Sequence, residues 1–149
     1  MEFLWAGIAA SAVDRARRFV RSAARQANGQ LPPGAPHLTR AIMSLRALRG
    51  SVSSALSRFD SIDDTEIESL EFQTAMNLLK VNSSESAIAT VMSAMQASGL
   101  SGYRNSGEFT IGRHLRDILS SAIMINNDRI LGSSASATML MDVPRVLRG

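Results

Sequence analysis

The sequence predicts an all-α protein, an up-and-down four-helix bundle forming a single domain over residues 1–149. Three observations carry that expectation. Apolar positions recur at three- and four-residue steps through long stretches, which is the period of a helix with one buried face. The apolar residues are mostly Ala, Leu, Ile, Val and Met, the vocabulary of packed helices, and only 5% of the chain is aromatic. Prolines and most glycines gather between those stretches.

The first helix is expected over 2–27. Ala9, Ala12, Val13, Ala16, Phe19 and Val20 mark its apolar stripe, and Arg15, Arg17, Arg18, Arg21 and Arg25 fall mainly on the other faces. "NGQLPPGAP", residues 28–36, places Pro32, Pro33, Gly34 and Pro36 together and reads as a connecting loop. The second helix is expected from His37 to about Phe59, with Ile42, Leu45, Leu48, Val52 and Leu56 inward and Arg40, Arg46, Arg49 and Arg58 outward. "DSIDDTEIE" then supplies a start signal. Asp63 or Asp64 can accept from free backbone N–H groups, and Glu66 and Glu68 suit the positive end of a helix dipole.

A third helix is expected over about 64–98, with Ile67, Leu70, Thr74, Val81, Ile88, Val91 and Met95 on one face. Ser84, Ala87 and Ala94 would let a neighbour approach closely. "SGLSGYRNSGEF", residues 98–109, breaks it with three glycines. A short helix over about 110–122 and a last one over about 128–141, ending before Pro144, complete the bundle as a split fourth member.

Composition removes several function classes. There is no cysteine, so no disulfide framework, thiolate nucleophile or thiolate metal site exists, and two distant histidines, His37 and His114, do not make a zinc centre. No metal is expected. The apolar opening "MEFLWAGIAASAV" lacks a basic n-region and reaches Asp14 and Arg15 too soon for a signal segment or a membrane span, so a cytoplasmic protein is expected. Charge is segregated along the chain. Residues 1–59 carry nine Arg against Glu2 and Asp14, residues 60–108 eight acids against Lys80 and Arg104, and residues 109–149 five Arg against three Asp. Basic and acidic helices lying side by side account for this pattern. An Arg-rich nucleic-acid binder is the lesser reading, since no compact helix-turn-helix is evident.

The motifs near the C-terminus go further. "MQASGLSGY" at 95–103, "RHLRD" at 113–117 and a turn into a last helix resemble the C-terminal domain of the flavin-dependent acyl-CoA dehydrogenases. "NNDRI" at 126–130 is similar to members acting on carrier-bound acyl thioesters, and "EFLWAGIAASAVDRA" aligns without gaps to the family's first C-terminal helix. The resemblance covers nearly the whole chain. It implies an oxidoreductase in which a glutamate takes the proton next to a thioester carbonyl while hydride leaves for FAD.

That glutamate has two positions in the family. One is the turn before the last helix, which here is Ile125, a side chain that cannot accept a proton. The other is the start of the first C-terminal helix, which here is Glu2. The resemblance therefore makes Glu2 the general-base candidate, with the backbone N–H of Ile125 on the oxyanion side; a plain N-terminal dipole partner is the alternative for Glu2. Asn126 and Asn127 match the Gly-Thr that follows the acid elsewhere and are the candidates for flavin ribityl or phosphate contacts, although Asn in a turn also serves local backbone needs.

Gln96, Gly99, Gly102 and Tyr103 match the stretch that in the family approaches the dinucleotide pyrophosphate from a neighbouring subunit, with Leu100 replacing a glycine. The family's Arg-x-x-Phe-Gly falls on Asn28 to Leu31, so its flavin arginine has no counterpart; Arg25 stands one turn early. Arg113, Arg116 and Asp117 read as packing and orientation residues, with Arg113 and Asp117 at ion-pair spacing. The family's N-terminal helical and β domains have no counterpart in this sequence. The resemblance thus implies either a dehydrogenase component completed by a partner, with FAD and acyl-CoA or an acyl carrier protein bound between chains, or a non-catalytic module that forms homo- or hetero-oligomers through its helix faces.

Overall fold

The computed structural model describes residues 2–143; Met1 and the segment 144–149, including the expected stop at Pro144, lie outside them. The described chain is all helical: α1 (Glu2–Gln26), α2 (Ala35–Ser61), α3 (Asp64–Ile67), α4 (Leu70–Tyr103), α5 (Gly112–Ile125) and α6 (Asn127–Leu140). The four-helix bundle is formed by α1, α2, α4 and the α5–α6 pair. Every other helix packs on α4.

That central position explains the composition of α4. Its buried residues are mainly small: Ser83, Ser84, Ala87, Thr90, Ala94, Ala97, Ser98 and Gly102 lie among Phe72, Val81, Val91 and Met95. Small side chains on several faces let neighbouring helices come close on more than one side. From α1, Trp5, Ala9, Ala12, Val13, Ala16 and Val20 fill the core, and from α2 Ala41, Leu48 and Val52. Phe19, placed on the inner stripe by its spacing, is half-buried and meets Phe109 edge-on with ring centroids 5.6 Å apart.

The helix ends follow local chemistry. Asn28 adopts φ 53° and the Gly29 N–H reaches the Ala24 carbonyl at 2.7 Å, a left-handed C-terminal cap that closes α1. Gly34 precedes α2, and a Cβ there would stand 2.6 Å from the Ala97 carbonyl oxygen and 2.8 Å from that of Gln96. Only glycine allows the proline loop to rest on α4.

The structure corrects the expected third helix. Residues 64–98 are not one helix: α3 is a single turn capped by Asp63, whose carboxylate accepts from the Glu66 N–H at 2.8 Å, and α4 restarts after Ser69, whose hydroxyl accepts from the Phe72 N–H at 3.1 Å. Two good N-cap residues, Asp63 and Ser69, divide the segment. Leu70, expected inside, sits in the first turn of the restarted helix and is 69% exposed. At the other end α4 runs on to Tyr103, because Gly99 at φ 55°, ψ −139° bends the chain and a further helical turn follows. A hydrogen bond from Ile111 N–H to the Gly102 carbonyl, at 2.8 Å, then seats α5 against that turn.

The last two helices are nearly continuous. Asn126 alone separates them, at φ 56°, ψ 67°, closing α5 with its N–H and opening α6 with its side chain. Ile125, expected in a turn, is instead the last residue of α5. Its N–H belongs to the helical ladder, directed at the carbonyl four residues earlier.

Candidate functional site

Glu2, at the first turn of α1, and Ile125, at the last turn of α5, line one cavity of about 450 Å³. Trp5, Asn77, Lys80, Arg129, Ile130 and Ser133 complete its wall. The two positions between which the resemblance divides the catalytic carboxylate thus meet in space. Ile125 contributes hydrocarbon, and Glu2 is the only carboxylate among the lining residues. Lys80 and Arg129 add two cations, so the cavity pairs one potential proton acceptor with groups suited to a developing oxyanion.

A second cavity, of about 300 Å³, shares Glu2 and Lys80 with the first. The rest of its wall is hydrocarbon, from Phe3, Val52, Ala55, Leu56, Phe59, Met76 and Leu79. Polar and apolar compartments therefore adjoin at Glu2.

Asn126 and Asn127 stand beside Ile125; Asn126 is exposed and Asn127 is buried. The Asn126 carboxamide oxygen accepts from the Arg129 N–H at 3.1 Å. Asn127 is buried, and its amide donates to Ser84 Oγ at 2.8 Å, tying α6 to α4. Its own Oδ1 has no hydrogen-bond partner.

The other candidate set lies toward the far end of α4. With 1.5 Å of rise per residue, Gln96 is about 24 Å along the helix from Lys80. Gln96, Gly99 and Tyr103 are exposed, with the bend at Gly99 standing between Gln96 and Tyr103. Gly102 is different. It is buried, and a Cβ there would stand 2.7 Å from Ser98 Cβ, so its small size serves contact inside the bundle. Three of the four residues fit an approach to a dinucleotide's phosphates, and one fits packing. One chain does not gather both sets around a single short ligand.

Arg113 Nε is 3.6 Å from Asp117 Oδ2, as the i, i+4 spacing predicts. His114, between them and α1, places Nε2 2.9 Å from Ser11 Oγ while Nδ1 is buried without a partner. Burial lowers the pKa of this imidazole, the Arg15 guanidinium lowers it further, Asp117 opposes in part and Arg113 adds to the lowering. A neutral ring with its proton on Nε2, donated to Ser11, satisfies the geometry.

Asn77, Lys80, Arg129 and Ser133 were not singled out by motif. Lys80 carried a signal, being the sole lysine of the sequence, and Arg129 and Ser133 follow Ile125 at four-residue steps. Their convergence on Glu2 needs the tertiary fold.

A long small-residue helix enclosed by neighbours, with a one-carboxylate cavity at one end and exposed Gln96, Gly99 and Tyr103 toward the other, defines an all-α bundle domain. The family model described as "Acyl-CoA dehydrogenase, C-terminal domain" matches residues 2–133, and the chain belongs to that family. No curated protein and no solved structure matches it. No helix among the described residues is long and apolar enough to cross a membrane.

Proposed function

We propose that the chain is the C-terminal bundle of a flavin-dependent acyl-thioester dehydrogenase and supplies the catalytic base, Glu2. The observation that carries this reading is the shared cavity of Glu2 and Ile125, two positions that alternate as the base in the family. FAD, when bound, accepts the hydride from the substrate's β-carbon. The Glu2 carboxylate takes the proton from the α-carbon, with Lys80 and Arg129 favouring negative charge on the thioester oxygen. The hydrocarbon cavity beside Glu2 holds the acyl chain. Because Ile125 directs its N–H into α5, the oxyanion donors come from side chains or from chain beyond these residues.

The pocket is completed by protein outside these 149 residues, and the exposed face of Gln96, Gly99 and Tyr103 serves a flavin seated against another subunit. Glu2→Gln in the flavin-loaded assembly tests the base directly. Anaerobic addition of acyl-CoA or acyl carrier protein thioester is expected to bleach the flavin of the parent and to leave that of the Glu2→Gln variant oxidised. Equal bleaching would remove Glu2 from the reaction, and the two thioesters distinguish the carrier.

A second reading, a bundle kept for association alone, is favoured by the hydrocarbon at Ile125 and by exposed Ile123, Met124, Met139 and Leu140 on α5 and α6. It predicts stable oligomers without flavin.

A further inference from the structure

Lys80 is the only lysine of the sequence, and it forms part of the wall of both cavities at Glu2. It is exposed and takes part in no ion pair among the described residues, so no carboxylate holds its charge in place. A guanidinium stays protonated and does not attack carbon, whereas an amine that has given up its proton is a nucleophile. Of the two cations in the wall of the larger cavity, Lys80 and Arg129, only Lys80 offers such a nitrogen.

The surroundings supply what acyl transfer to that nitrogen needs. Phe3, Val52, Leu56, Phe59, Met76 and Leu79 line the 300 Å³ cavity beside Lys80, a hydrocarbon wall against which an acyl tail lies. A tail anchored there keeps its carbonyl near the amine, and proximity of that kind replaces a chance encounter with a local one. On the other side, the 450 Å³ cavity adds the Arg129 guanidinium for a developing oxyanion and the Glu2 carboxylate for a proton.

We infer that Lys80 is an acylation site, which takes the acyl group of a thioester bound in these cavities and keeps it as an amide. The inference rests on the reading that the cavities receive an acyl thioester, and it adds a covalent outcome to that reading. The Lys80 nitrogen, as the free amine, adds to the thioester carbonyl carbon while Arg129 favours charge on the oxygen. Glu2 takes the proton that the new C–N bond leaves on nitrogen. The C–S bond then breaks, and the departing sulfur receives that proton. One amine and one thioester become one amide and one thiol, with no change of oxidation state. The product has lost the positive charge beside Glu2 and fills its own hydrocarbon cavity, so the modified chain no longer admits substrate there.

The test needs neither flavin nor turnover. The full chain is incubated with the octanoyl or the acetyl thioester of N-acetylcysteamine, at equal low concentration, and the adducts are located by peptide mass spectrometry. Trp5, the only tryptophan and part of the Glu2 cavity wall, reports occupancy through its fluorescence. One amide per chain is expected, at Lys80, formed at least about tenfold faster from the octanoyl than from the acetyl thioester, because each methylene laid against hydrocarbon strengthens binding. Leu56→Asn brings the octanoyl rate toward the acetyl rate. Lys80→Arg stays unmodified while its Trp5 still responds to the octanoyl thioester. Adducts at the amino terminus or at hydroxyl groups in place of Lys80, or equal rates from the two thioesters, with Trp5 responding, would overturn the inference and leave the acyl cavity standing. No response of Trp5 to either thioester would overturn both.

Discussion

Glu2 and Ile125, from opposite ends of the bundle's sequence, wall the same cavity, one offering a carboxylate and the other only hydrocarbon. A proton acceptor introduced at either position would reach the same space. In the flavin-loaded assembly Glu2→Gln is expected to lower turnover by about 10²–10⁴-fold, the usual contribution of a positioned general base. Adding Ile125→Glu to that variant is expected to recover part of the lost rate. Stopped-flow flavin reduction measures both, and no recovery with flavin still bound would show that the cavity does not receive the substrate's α-carbon.

Gly34 and Gly50 separate close approach from ordinary helix propensity. Gly34→Ala presses a methyl group onto the carbonyls of Gln96 and Ala97 and is expected to destabilise by about 1–3 kcal/mol, the range for overpacking against backbone. Gly50, inside α2 with nothing near its missing Cβ, should gain about 0.5–1 kcal/mol on substitution by Ala. Urea unfolding of both variants gives the two signs.

The hinge at Asn126 makes a similar contrast. Asn126→Ala loses the cap to Arg129 and keeps a left-handed φ, costing about 1.5–4 kcal/mol together. Asn126→Gly loses the cap but relieves the backbone, and should stay within about 0.5 kcal/mol of the parent, since glycine replaces a capping residue at little cost. Equal losses would mean that the backbone conformation contributes nothing there.

His114 gives stability a pH dependence whose sign follows from its surroundings. Its folded-state pKa lies below the ordinary 6.5, so as pH falls through 6.5 the unfolded chain takes the proton first and stability declines until the folded pKa is passed. Well above 6.5 both states are neutral and the effect vanishes. Unfolding free energy measured from about pH 7.5 down to about 5 should therefore fall less in His114→Gln than in the parent. Parallel curves would contradict the burial beside Arg15.

The helices were legible because a 3.6-residue repeat survives in one dimension. Ala9, Ala12, Val13, Ala16 and Val20 lie inside as their spacing requires, and so do Leu48 and Val52. Caps were less legible in their effect. Asp63 was visible as a start signal, but Ser69 could equally have sat mid-helix, and only its hydrogen bond to Phe72 marks the restart of α4. The glycines of 95–103 looked alike in sequence, yet Gly99 supplies a positive φ and Gly102 a packing contact with Ser98. Cavities were the least legible. Lys80 with Glu2, and Arg15 with Arg116, are joined by folding across the bundle, and no local pattern encodes those meetings.

The most direct test is flavin stoichiometry, read from visible absorbance, for the chain purified alone and for the chain co-expressed with the proteins its neighbouring genes encode. Flavin is expected to be bound in the assembly and little with the chain alone, since the proposed pocket is completed by protein outside these residues. Absence of flavin from both preparations, with the bundle folded and oligomeric, would contradict it and leave an association module.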